Sequence, residues 1–203
     1  MVGTIAPVVY GDTGRSRWRV AMSLHVLGSI IGSGLFGAAL GGLGWLLRTT
    51  LPMLTVLGHL ALGLLSGAYG LHEIRLVQLV YPQVHRQVDG RQRYRRHPYL
   101  VAWRYGFELG IGLTTFIATA SVYIITFGAL LSGDPLYAAA LLGCFGLARA
   151  GFLTVVVRGI TSLEQSHRLA QRMSFLCQQV YVVNGIALVL TGTLLVVIAW
   201  NAM

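Results

Sequence analysis

The sequence predicts an all-α, polytopic membrane protein with five transmembrane helices. Three observations predict it. Of 203 residues, 55% are hydrophobic and only 10% are charged, where a soluble domain carries about 25% charged residues. The apolar residues gather in five blocks close to the roughly 20 residues that a helix needs to cross a bilayer. The fifteen basic residues are all arginines, and thirteen of them lie in three segments that five crossings would place on one face. This pattern excludes a soluble enzyme, a disordered tail and a secreted disulfide scaffold. The net charge of +9 marks cytoplasmic loops rather than a nucleic-acid surface.

Residues 1–19 read as a cytoplasmic segment carrying Arg15, Arg17 and Arg19. Residues 1–10 are apolar but too short for a cleavable leader, so none is expected. A single transmembrane domain follows over residues 20–200. Its spans are 20–47, 52–71, 107–131, 135–157 and 180–200. The connections at 48–50 and 132–134 are tight outer hairpins, the latter leading into Asp134-Pro135 as a helix start. The connection between the second and third spans is a basic cytoplasmic loop, 73–104. Arg91, Arg93, Arg95 and Arg96 in it are placed to meet anionic headgroups. Arg158, Arg168 and Arg172 fill the segment between the last two spans. The N-terminus is therefore expected inside and the C-terminus outside a bacterial-type inner membrane. Trp18, Trp45, Trp103, Tyr105 and Trp200 fall near span ends, as an interfacial aromatic belt would.

Twenty-six glycines is nearly twice the average usage of ~7%, and many lie inside the spans. Gly28 and Gly32, Gly37 and Gly41, and Gly106 and Gly110 are small-xxx-small pairs. Such pairs let helix backbones approach closely where lipid supplies no hydrophobic drive. They fit a tight bundle, and equally helices that slide or bend during alternating access. They also suit packing against other membrane subunits or a second copy.

Polar groups inside the spans are the functional candidates. Glu108 lies one turn above Arg104 in the third span. Arg149 lies in the inner half of the fourth and is long enough to reach Glu108. With Thr114 they form an expected ion pair or substrate site. His25 and His72, at the inner ends of their spans, are expected as interfacial residues; the alternative is that they meet at one depth as bis-histidine ligands of heme b, although spans three to five hold no histidine. Apart from that heme, or a pigment, the sequence calls for no cofactor. Cys144 and Cys177 differ in depth by roughly 15 Å, so they are expected to be separate, buried and inert. No catalytic triad, metal motif or phosphate loop is present, and the reading leans away from an enzyme.

The second and fifth spans are alike, Leu60-Ala61-Leu62-Gly63-Leu64-Leu65-Ser66-Gly67 against Ile186-Ala187-Leu188-Val189-Leu190-Thr191-Gly192, and they run in opposite directions. This fits an incomplete inverted repeat that lacks its opening helix. Together with His25 to Ser29, Gly37 to Gly44, Tyr105 to Thr114 and Leu142 to Arg149, the pattern resembles the membrane domain of CcdA/DsbD-type thiol–disulfide electron transporters. The resemblance implies their scaffold without their redox cysteines. Two functional expectations follow: a carrier-like or accessory protein moving a small solute, ion or reducing equivalents, or a non-catalytic structural subunit of a bioenergetic or pigment–protein complex.

Overall fold

A computed structural model describes residues 14–80, 97–112, 119–158 and 163–201. The described residues form six helices: α1 (Gly14–Thr50), α2 (Pro52–Glu73), α3 (Pro98–Ile111), α4 (Ser121–Ser132), α5 (Pro135–Val157) and α6 (Leu163–Asn201). Three stretches are long and apolar enough to cross a membrane: Ser16–Thr50, Pro135–Val157 and Gln178–Asn201. Among the described residues the protein is thus all-helical, with helices suited to a membrane.

Local chemistry sets the helix ends. α2 and α3 each begin on a proline in the first turn, where its missing N–H leaves no bond unmade. α5 begins where the Asp134 carboxylate accepts the backbone N–H of Leu136 at 2.8 Å and of Tyr137 at 3.1 Å, an N-cap. α4 ends at Gly133, whose φ is 61°, and α3 ends at Gly112, whose φ is 75°. That left-handed backbone costs glycine little and closes a helix.

Gly112 corrects the expectation of one continuous helix over 107–131. The block is divided into α3 and α4, of 14 and 12 residues. Residues 113–118 lie outside the described ones. The expected fifth span, 180–200, agrees with the apolar stretch Gln178–Asn201, which is the second part of a helix that begins at Leu163.

The chain forms two compact units. Of the described residues, the first combines 14–33, 97–112, 143–158 and 163–177, and the second 34–80, 119–142 and 178–201. In the first unit α1 and α3 run parallel with their backbones in contact. A Cβ at Gly28 would lie 2.5 Å from the Trp103 carbonyl oxygen, and one at Gly32 2.5 Å from that of Phe107. Across the same contact a Cβ at Gly106 would lie 2.0 Å from the His25 oxygen, and one at Gly110 2.3 Å from that of Ser29. Trp18, Ala21, Met22 and Ala102 form the core beside it. Trp18 is 4% exposed, which corrects its assignment to an interfacial belt. The ring turns onto small Ala21 and Ala102 instead.

In the second unit Gly37 and Gly41 bring α1 against Ala138 and the Asp134-Pro135 backbone. α2 and α6 run antiparallel. Gly63 meets Gly192, and Gly70 meets Gly185. Between them the Ser66 hydroxyl donates to the Leu188 carbonyl at 2.8 Å. Leu62, Ala120, Ile124 and Leu188 pack beside this seam.

Candidate functional site

The first unit concentrates polar side chains around α1, α3 and α5. His25 is only 1% exposed, because the α1–α3 contact at Gly106 closes over its backbone. Its ring stacks on Tyr105, with centroids 5.4 Å apart and planes at 22°. Neither ring nitrogen has a hydrogen-bond partner among the described residues. An imidazole offers two nitrogens for hydrogen bonds or a ligand, and the Ala102 backbone lies within reach of this one. One turn along α1, the Ser29 hydroxyl donates to the Gly146 carbonyl of α5 at 3.1 Å. Ser33 bonds back to the Ser29 carbonyl at 2.7 Å.

Arg149 enters the same unit from α5. Its guanidinium donates to the Leu109 carbonyl at 3.4 Å, in the last turn of α3, where a positive charge complements the helix dipole. Glu108, the neighbour of Leu109, accepts from the Arg104 guanidinium at 2.7 Å. The structure thus brings the Arg149 guanidinium of α5 to Leu109, the residue after Glu108 on α3, and it gives the carboxylate a partner one turn back on its own helix. Thr114, expected in the same group, lies outside the described residues, as do Arg91, Arg93, Arg95 and Arg96.

His72 belongs to the second unit. Its Nδ1 accepts the Leu79 N–H at 2.9 Å and lies 3.1 Å from the Val77 carbonyl oxygen, so it finishes the turn after α2. Among the described residues no three His, Cys, Asp or Glu side chains gather as a metal site would. Cys144 is exposed on α5, which corrects its expected burial: it falls on the helix face away from Leu142 and Gly146. The side chain of Cys177 lies outside the described ones.

Sequence reasoning missed one polar cluster altogether. Glu73, 5% exposed at the end of α2, accepts the Ala120 backbone N–H at 2.8 Å. It also accepts from the Asn184 side-chain amide of α6. The available signal was the pairing of the second and fifth spans. Their antiparallel likeness sets the end of the second span, which the helix extends to Glu73, beside the start of the fifth, where Asn184 lies.

Buried polar side chains on glycine-seamed, apolar helices make the described residues those of an all-helical, membrane-associated protein. Within that class this chain is similar to the methylamine utilization protein MauF. It is 35% identical to the one from Methylophilus methylotrophus over 152 residues, 74% of this chain and 52% of that protein. It is 32% identical to that of Paracoccus denitrificans over 145 residues, 70% of this chain and 50% of the relative. For Methylorubrum extorquens the identity is 27% over 182 residues, 87% of this chain and 60% of the relative. The chain spans about half the length of the curated relatives it matches. No family model and no solved structure matches it.

These relatives overturn the resemblance to CcdA/DsbD-type electron transporters, because they carry the MauF name throughout. Glycine spacing and opposed spans carried that resemblance, and both record how helices pack rather than what a protein does. The expectations of a solute carrier and of a structural subunit fall with it.

Proposed function

We propose that this chain is a membrane-embedded accessory protein of methylamine utilization that works with other proteins of that system. The observation that carries the reading is the 35% identity to a methylamine utilization protein over 74% of the chain. The apolar helices support placement in a bilayer. Five crossings with the N-terminus inside remain the topology that the arginine distribution favours. On that reading α3 and α4 share the third crossing, because about 21 Å and 18 Å of helix are each shorter than a ~30 Å hydrocarbon core.

Within this protein the group His25, Tyr105, Arg149 and Glu108 is the functional cluster, with Thr114 beyond the end of α3. It combines a buried imidazole with a charge inside an apolar bundle, and such groups are the first candidates for function. The test is deletion of the gene in its host. Growth with methylamine as the nitrogen or carbon source should be lost, and growth on ammonium with an unrelated carbon source should be kept. The intact gene should restore growth, and Arg149→Leu, inserted at normal level, should not. Undiminished growth of the deletion strain on methylamine would refute the assignment.

A further inference from the structure

α4 is a helix of twelve residues without a cap of its own. Ala120 occupies the N-cap position and can make no side-chain hydrogen bond. The helix is strongly apolar, and Ala120 and Ile124 are buried in the second unit's core. An amino end so placed exposes backbone N–H groups and a partial positive charge to apolar surroundings, which carries a penalty unless an acceptor or an anion meets it. The Glu73 carboxylate meets it from α2. One oxygen accepts the Ala120 N–H at 2.8 Å, and the other accepts from the Asn184 amide of α6.

The place from which Glu73 reaches is fixed. A Cβ at Gly185 would lie 2.8 Å from the Gly70 carbonyl oxygen and 3.2 Å from the Glu73 Cβ. The side chain therefore leaves α2 where the α2 and α6 backbones touch, and it has little lateral freedom. Helix amino ends in other proteins hold free anions such as phosphate and carboxylate in this position. Here the anion is covalently part of the chain.

We propose that Glu73 is the built-in anion of α4: a positioning residue whose carboxylate, oriented by Asn184, docks the amino end of this short helix onto the α2–α6 seam. The three helices assemble in their native arrangement only when an anion occupies that position.

The experiment is chemical rescue. Glu73→Ala keeps the Cβ and removes the atoms of an acetate ion. In detergent its melting temperature should fall by roughly 5–10 °C, the scale of a charge-assisted hydrogen bond in a chain of this size. Sodium acetate should return most of that loss, and sodium chloride at equal concentration should not. Acetate should leave the wild type and Ser66→Ala unmoved. Glu73→Gln, which keeps the shape but not the charge, should melt below the wild type. A Glu73→Ala protein that melts as the wild type does, or that melts low and ignores acetate, overturns the proposal. If Glu73→Ala yields no folded protein, Glu73→Gln decides: melting equal to the wild type would mean that a neutral hydrogen bond suffices and no anion is required.

Discussion

Gly106→Ala is the sharpest test of the α1–α3 contact. The added methyl would sit 2.0 Å from the His25 carbonyl oxygen, 2.8 Å from its carbon and 3.0 Å from its Cα. All three are backbone atoms, so no side chain can swing aside. Reaching an ordinary contact of about 3.4 Å needs a separation of well over 1 Å between two helices that touch again at Gly28, Gly32 and Gly110. Overpacking of this kind costs about 1–3 kcal/mol and sometimes more. Against it stands the gain of up to ~1 kcal/mol for alanine over glycine within a helix. The net expectation is a loss of about 1–2 kcal/mol. Gly151→Ala on α5 is the control, because nothing lies within 4 Å of its added methyl and only the helix gain remains. Both variants are compared by thermal unfolding in the same detergent. Equal melting of the two would refute the argument and would mean that α1 and α3 are not in backbone contact.

Three further outcomes follow from the same geometry. His25→Phe removes two buried nitrogens that lack partners and keeps a ring against Tyr105, so it should raise stability by about 1–3 kcal/mol while abolishing methylamine-dependent growth; destabilisation would show that the ring is hydrogen-bonded. Ser66→Ala, which removes a buried bond from α2 to α6, should cost about 0.5–1.5 kcal/mol in detergent unfolding, in the range of interhelical hydrogen bonds in membranes; a change of zero would mean the hydroxyl is satisfied within α2 alone. A cytoplasm-active reporter inserted in the loop at 85–97 should give signal and one fused after Met203 should not; equal signals would refute five crossings.

Much of the helical layout was legible because the chain marks its turns. The Asp134-Pro135 pair and Pro52 are local signals whose physics does not depend on the rest of the fold, and α5 and α2 start there. The division of 107–131 was hidden for the opposite reason. Hydropathy averages over a block, and Gly112 is one more glycine in a segment already rich in them. Only the left-handed backbone at that position distinguishes a stop from a packing contact. Orientation around a helix was the weakest level. Trp18 and Cys144 were given the wrong surroundings, because an apolar helix in lipid has no polar face to show which side turns inward. The site followed the same rule. Arg149 was visible as a charge where charges are rare. Glu73 was passed over because it fell at the first position of the basic loop 73–104, where a carboxylate reads as ordinary, and its meaning comes from Asn184 and Ala120, both distant in sequence.

The α2–α6 seam limits what motion this protein can use. Gly63 and Gly70 are seven residues apart on one helix, and their opposite numbers Gly192 and Gly185 are seven apart on the other. Sliding by one residue would turn side chains into gaps that only hydrogen atoms fill. The nearest other glycine in the seam is Gly67, whose backbone also touches Gly192, four residues or about 6 Å from Gly63. Small lengthwise shifts are therefore blocked. A rearrangement within the second unit is expected to carry α2 and residues 178–201 together. A single-residue insertion between Gly63 and Gly70 should be tolerated far less well than one in the chain that follows α2.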